Sequence, residues 1–223
     1  MGIAGYIEHT ILKPDTTIED IKKLCDEAKV YQFAGVCLPP PFVRNGKRLL
    51  YETDIKLVTV IGFPFGYSCA KAKIFENAQA LEDGADEIDM VINIAALKNG
   101  QWAYLESEVK YILEATKKHG KVLKLIIESG ILTDEEIIRC CEIYGETGVD
   151  FLKTSTGYAA HSASTHAVSL MRKHLPENVK IKASGGIRSY SFARELLGAG
   201  ADRLGCSGSI AIVKEEEEKS GLL

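Results

Sequence analysis

Two lysines stand where a lysine is least expected. Lys153 lies in Asp150-Phe151-Leu152-Lys153-Thr154-Ser155-Thr156-Gly157. Lys182 lies in Val179-Lys180-Ile181-Lys182-Ala183-Ser184-Gly185-Gly186. Each sits near the end of a short apolar run that stops at a polar, glycine-bearing loop. Strand interiors favour branched and aromatic residues, and lysine is almost never fully buried unless it is paired. Lys124 within Val122–Ile127 and Asp89 within Glu87–Ile92 share the pattern. Pointed into one interior, these residues make a compact cluster of three cations and one anion, which is costly to bury.

Such a cluster has a chemical use. A lysine amine is a nucleophile only when neutral, and its reference pKa of about 10.4 leaves roughly one amine in 2,500 neutral at pH 7. Burial and a neighbouring cation both disfavour the protonated form. A neutral lysine attacks a carbonyl and forms a Schiff base, and the resulting iminium draws electrons and eases carbon–carbon cleavage. Each residue also has a plainer reading. A lone strand lysine is by default an outward surface residue whose stem covers apolar neighbours. Asp89 can be a cap or an ion-pair partner, and Lys124 a structural counterion. Lys180 shares a face with Lys182 by alternation, so one of the two belongs at the strand's N-terminal end. His9, between apolar residues, reads as a hydrogen-bonded core histidine.

Positioning these side chains requires strands that end on one side. Apolar runs at Tyr6–Leu12, Ala34–Leu38, Ile55–Phe63, Glu87–Ile92, Val122–Ile127, Val149–Lys153, Val179–Ala183 and Arg203–Cys206 read as strands. Helical patterns alternate with them. Thr16 with Glu19 and Thr133 with Glu136 have capping-box spacing. Ile21, Leu24, Cys25 and Ala28 share one helical face, as do Ile137, Cys141 and Tyr144. Helices are also expected over Phe42–Tyr51, Ala70–Glu82, Trp102–His119, Ser164–His174 and Tyr190–Leu197, with a last one from Ser209. Gly84-Ala85-Asp86, Gly148-Val149-Asp150 and Gly200-Ala201-Asp202 each close a helix and open a strand. Their spacing gives units of about 30 residues, the size of a βα module. Eight such units predict an α/β fold of (β/α)8 barrel type, a single domain over residues 1–223. An open doubly wound sheet is the alternative, and no G-x-G-x-x-G follows the first strand to support it.

In a (β/α)8 barrel the active site lies at the C-terminal ends of the strands, and phosphate sites often use the loops after strands seven and eight. Ser184-Gly185-Gly186 and Gly205-Cys206-Ser207-Gly208-Ser209 occupy those places. A small phosphorylated carbonyl compound is therefore the expected ligand.

Composition excludes other classes. The 223 residues carry a net charge of −4 with no basic block, so nucleic-acid binding has no electrostatic support. The acidic run Glu215–Glu218 reads as a solvated helix end. No apolar run is long enough to span a bilayer, and no signal peptide is visible. Six cysteines without C-x-x-C spacing read as reduced, buried thiols of a cytoplasmic protein. Of these, Cys37 and Cys206 lie near strand ends, where exposure would make them reactive.

Taken together, several stretches resemble the deoxyribose-phosphate aldolase family of class I aldolases. They are His9-Thr10-Ile11-Leu12-Lys13-Pro14, Ile61-Gly62-Phe63-Pro64, Gly84 through Asn93, Lys124-Leu125-Ile126-Ile127-Glu128, Lys153 through Gly157, and Lys182 through Arg188. The resemblance implies a (β/α)8 fold and reversible cleavage of 2-deoxy-D-ribose 5-phosphate to D-glyceraldehyde 3-phosphate and acetaldehyde. It implies Lys153 as the Schiff-base lysine, Lys182 as the lysine that lowers its pKa, and Asp89 as the relay carboxylate. It also implies that Lys124, Thr156, Gly157, Gly185, Gly186, Ser207 and Gly208 meet sugar or phosphate. No metal and no other cofactor are implied. The partners implied are small phosphorylated sugars and aldehydes, with neither nucleic acid nor membrane, in a cytoplasmic homodimer or homotetramer. The chain departs from many relatives in having Ser207-Gly208 for a serine pair, Tyr158-Ala159-Ala160-His161 after Gly157, and no tyrosine in its C-terminal tail.

Two other functions fit parts of the pattern. A phosphosugar isomerase on the same barrel would use Glu128 as its base, and leaves the two strand lysines unexplained. A non-catalytic phosphosugar-binding protein would need no nucleophile.

Overall fold

The computed structural model describes residues 2–221; the ends of the 1–223 span lie outside the described residues. Eight strands run β1 Ile7–Thr10, β2 Gly35–Leu38, β3 Lys56–Ile61, β4 Glu87–Val91, β5 Val122–Ile126, β6 Phe151–Lys153, β7 Lys180–Ser184 and β8 Arg203–Cys206. All neighbours pair in parallel, and β8 pairs with β1, so the sheet closes in sequence order into a barrel. The helices are α1 Ile18–Tyr31, α2 Val43–Leu49, α3 Ala70–Asp83, α4 Ile94–Lys98, α5 Trp102–Lys118, α6 Asp134–Thr147, α7 Thr165–His174, α8 Tyr190–Gly198 and α9 Ser209–Lys219. Among the described residues, no helix is long and apolar enough to cross a membrane.

Alternation along each strand divides the side chains in two. Ile7, Val36, Leu57, Ile88, Met90, Leu123, Leu125, Leu152, Ile181 and Leu204 point outward into one continuous core under the helices. The apolar faces read from the sequence meet them there: Ile21, Leu24, Cys25 and Ala28 of α1, and Ile137, Cys141 and Tyr144 of α6, are all buried. Each such leucine or isoleucine contributes about 1.5–3 kcal/mol by leaving water. Inside the barrel, Cys37, Val58 and Val60 form a small apolar wedge on β2 and β3. The remaining strands bring a cluster of charged side chains into the interior.

The three Gly-x-Asp repeats have a structural job. Gly84, Gly148 and Gly200 adopt φ of 103°, 77° and 111°, a left-handed conformation that only glycine enters cheaply. Each aspartate then accepts the backbone N–H of the preceding strand: Asp86 from Leu57 at 3.1 Å, Asp150 from Leu123 at 2.9 Å, Asp202 from Ile181 at 2.8 Å. The repeat fixes the N-terminal ends of three strand pairs.

The expected elements differ from the structure in a few places. The α1 capping box is Thr17 with Asp20, one residue beyond the expected pair. The Thr16 hydroxyl is committed elsewhere, donating to the Lys13 carbonyl at 2.7 Å. The helix expected over Phe42–Tyr51 is shorter, because Phe42 belongs to a 3-10 turn over Pro40–Phe42. The short α4, capped by Asn93, has no counterpart among the expected helices; five residues are too few to show a period. Glu215 and Glu216 are not simply solvated: they accept the backbone N–H groups of Tyr190 and Ile3. Cys69 is exposed, whereas the other five cysteines are buried.

Candidate active site

Strand register builds the site. Asp89, Lys124, Phe151 and Lys180 are successive partners across β4 to β7, and Lys153, Lys182 and Arg203 are successive partners across β6 to β8. Lys180 is the exposed lysine at the N-terminal end of its strand, its ammonium 5.7 Å from the Phe151 ring centre. Lys182 is the buried one.

Asp89 is the hub. Its Oδ1 accepts from Lys124 Nζ at 3.0 Å, and its Oδ2 accepts from Lys153 Nζ at 2.7 Å and Lys182 Nζ at 2.6 Å. The cluster holds more anions than the single one expected. Glu8 of β1 is fully buried and pairs with Lys182, with Lys124 at 3.4 Å and with Arg203 at 3.4 Å. Glu87 pairs with Lys124. Both carboxylates occupy inward positions of short strands. In Ile7-Glu8-His9-Thr10 the only available signal is the alternation itself, which a four-residue strand shows poorly. His9 faces the other way, hydrogen-bonded to Ser209 Oγ and Glu27 Oε2, both at 2.9 Å.

The two lysines of interest titrate in opposite directions. Burial pushes Lys153 below the ordinary lysine range; the nearby Lys182 ammonium pushes the same way, and Asp89 only partly opposes them. Burial acts on Lys182 too, but Asp89 and Glu8 outweigh it and hold its ammonium charged above that range. Lys124 is likewise raised, its burial outweighed by Asp89, Glu8 and Glu87. Burial would raise Asp89, but Lys124, Lys153 and Lys182 together hold it well below the carboxylate range. Glu8 is lowered by Lys124 and Lys182 against its burial.

A cleft of about 890 Å³ opens at the C-terminal ends of the strands, and its lining includes Lys153, Thr156, Gly157, Gly185, Gly186 and Ser207. Lys153 is 3% exposed, while Lys124, Lys182 and Asp89 are at 0%. Only Lys153 of the cluster therefore reaches the cleft; the others form its floor. Gly157, Gly185 and Gly186 take φ of 89°, 89° and 74°, a left-handed backbone that favours glycine. Arg188 and Tyr158 also line it, and Tyr158 spans it by donating to the Leu12 carbonyl at 2.7 Å.

Two of the expected contact residues are not among those that line the cleft. Lys124 is fully buried and ion-paired with Glu8, Glu87 and Asp89. Gly208 does not line the cleft but precedes α9. The rival base Glu128 is buried and accepts the backbone N–H and hydroxyl of Thr156, so it holds a loop and does not face the opening. Burial raises its carboxyl above the usual range. Cys37 and Cys206 are enclosed, and burial pushes their thiols up to about 11 and about 12.

A lysine inclined to be neutral at the mouth of a (β/α)8 barrel, backed by an ammonium and a carboxylate, is equipment for making and breaking imines. Comparison with known proteins narrows this. Residues 5–212 match the DeoC/LacD family of aldolases. The chain is 48% identical to the deoxyribose-phosphate aldolase of Caldanaerobacter subterraneus subsp. tengcongensis over 100% of this chain and 96% of that one. It is 47% identical to that of Thermococcus gammatolerans over 96% of each chain. The deoxyribose phosphate aldolase of Aeropyrum pernix, described as having a unique tetrameric structure, superposes with a TM-score of 0.90 at 32% identity, covering 99% of this chain and 92% of its own. The protein belongs to the DeoC/LacD aldolase family.

Proposed function

We propose that the protein is a deoxyribose-phosphate aldolase with Lys153 as its Schiff-base residue. The observation that carries this reading is the single deprotonation-prone lysine at the cleft, hydrogen-bonded to the same carboxylate oxygen as a charged one. The neutral Lys153 Nζ adds to C1 of the open-chain sugar phosphate, and loss of water gives the iminium. A base removes the proton from the C3 hydroxyl, C2–C3 breaks, and C3 leaves as the aldehyde carbon of glyceraldehyde 3-phosphate. The bonding pair moves onto C2 and the iminium, leaving an enamine. Protonation at C2 and hydrolysis then release acetaldehyde and neutral Lys153. Lys182 and Asp89 move these protons as general acid and base, at a site where such transfer contributes about 10²–10⁴-fold. The phosphate lies against the backbone of Gly185 and Gly186 and the Ser207 loop ahead of α9, with Thr156 and Gly157 flanking the sugar. We assign the working protein to a cytoplasmic homodimer or homotetramer, a reading for which the Aeropyrum relative is the precedent.

The test is intact mass after incubation with acetaldehyde and borohydride, wild type beside Lys153→Ala. A reduced adduct on the wild type only, mapped to Lys153, is expected. No adduct on folded wild type overturns the mechanism in favour of an isomerase. Ligand binding unchanged in Lys153→Ala, with no cleavage by the wild type, points to a binding protein.

A further inference from the structure

The charges in the barrel interior obey a count. Among the ion-paired groups, Lys124, Lys182 and Arg203 face Glu8, Glu87 and Asp89, three cations against three anions, and Lys153 is the fourth cation; Lys180, exposed at the start of β7, pairs with none of these anions and stands outside the count. With Lys153 neutral the cluster balances; with Lys153 charged it carries an excess positive charge in a space that screens poorly. Glu8 is the anion on which this balance turns. It is fully buried, and it alone of the three touches Lys182, Lys124 and Arg203 together. It lies on β1, across the barrel from Lys153. Its carboxylate is spent on those three cations and does not bond Lys153, so its influence on the reacting amine passes through Lys182.

We propose that Glu8 is a positioning residue that keeps Lys182 charged and aimed at Asp89, and so leaves Lys153 as the one amine of the cluster free to be neutral. The proposal rests on the aldolase reading and deepens it. Without the Glu8 charge, Arg203 loses its carboxylate, and Lys182 keeps only Asp89, which it shares with Lys124 and Lys153. Lys182 then becomes the next group to give up its proton, and the acid of the reaction is lost at lower pH. The groups facing Lys182 are Glu8 from β1, Cys37 from β2, Asp89 from β4, Lys124 from β5, Lys153 from β6, and Arg203 and Cys206 from β8. Burial keeps both thiols neutral, so Glu8 and Asp89 are the only anions among them.

The experiment is the pH profile of kcat/KM for deoxyribose 5-phosphate cleavage in wild type, Glu8→Gln and Glu8→Asp. The alkaline limb of that profile reports the free enzyme's essential acid. Glu8→Gln should bring the limb down by about 1–3 pH units, the change an adjacent opposite charge produces. Glu8→Asp should return it most of the way. A folded Glu8→Gln with reduced activity but an unmoved limb overturns the proposal, since a merely structural role lowers activity without moving it. If Glu8→Gln does not fold, Arg203→Gln replaces it. Removing the cation that competes for Glu8 should move the limb upward, and an unmoved limb there also overturns the proposal. A wild type that forms no borohydride adduct brings down the aldolase reading itself. An unmoved limb in an enzyme that does form the adduct brings down only the role of Glu8.

Discussion

Lys153 and Lys182 donate to the same atom, Asp89 Oδ2, at 2.7 Å and 2.6 Å. They are register partners on adjacent strands, so neither can turn away from the other. One carboxylate oxygen thus holds two amines of opposite protonation tendency side by side. The second contact of Lys182, to Glu8, breaks the symmetry between them.

Removing the charged partner should make the nucleophile worse. In Lys182→Met the cation that helps lower Lys153 is gone, and Asp89 is left to raise it. The acid limb of adduct formation should move to higher pH. Adduct formation at neutral pH should slow about tenfold for each pH unit the limb moves, because the neutral amine becomes that much rarer. Turnover should fall by about 10²–10⁴ through loss of the proton donor. Borohydride trapping against pH, beside steady-state turnover, checks both.

Acid should unfold the protein through its buried carboxylates. Asp89, Glu8 and Asp86 have folded-state pKa values below their ordinary ones. The stability each contributes is complete above the unfolded values near about 4 and is lost as pH falls through the lower folded values. The urea midpoint should fall steeply below about pH 4. Asp89→Asn should lose about 3–5 kcal/mol at pH 7, because it strands buried ammoniums. Its midpoint should fall less with acid than that of the wild type.

Phosphate recognition should depend on the glycine turn after β7. A Cβ on Gly185 would lie 2.8 Å from Ser162 Oγ and 2.9 Å from Ser162 Cβ, and φ there is already 89°. Gly185→Ala should therefore raise KM for deoxyribose 5-phosphate while leaving the borohydride adduct with acetaldehyde intact. Loss of the adduct as well would place the damage in the barrel.

A second buried pair should matter for stability without reaching the cleft. Lys73 Nζ and Glu108 Oε1 are 2.9 Å apart with no exposure, and Lys73 also donates to the Val91 carbonyl at the end of β4. Lys73→Met should cost about 3–5 kcal/mol by leaving the buried Glu108 carboxylate without its cation, held only by the Asn93 N–H and the Tyr104 hydroxyl. Combining it with Glu108→Leu should recover much of that loss, measured as chemical denaturation midpoints.

The barrel is legible in the sequence because several of its junctions carry their own local chemistry. Thr133 with Glu136, Ser164 before α7 and the Gly-x-Asp repeats each mark a boundary within a few residues of chain. Lys153, Lys182 and Asp89 are legible because a charge in an apolar strand contradicts its surroundings. Glu8 is not, since a glutamate near the chain start beside a polar histidine looks ordinary until the closing of β8 onto β1 turns it inward. Lys124 shows the same anomaly as Lys153. Its separation from the cleft is set by depth along the barrel, one layer below, which only the register reveals.

Lys153, Lys182, Asp89, Glu8 and Lys124 all stand on strands, whereas Gly157, Tyr158, Gly185, Gly186 and Ser207 stand on the connections above them. On the proposed assignment of roles, bond making and acceptor choice are therefore inherited separately. Insertions, deletions or exchanged segments at the rim can retune which aldehyde is accepted while the imine machinery below keeps its pitch. Changes to the staves of the barrel retune both at once. For anyone seeking new carbon–carbon couplings from this scaffold, diversity belongs at the rim, and the five strand charges belong outside the library.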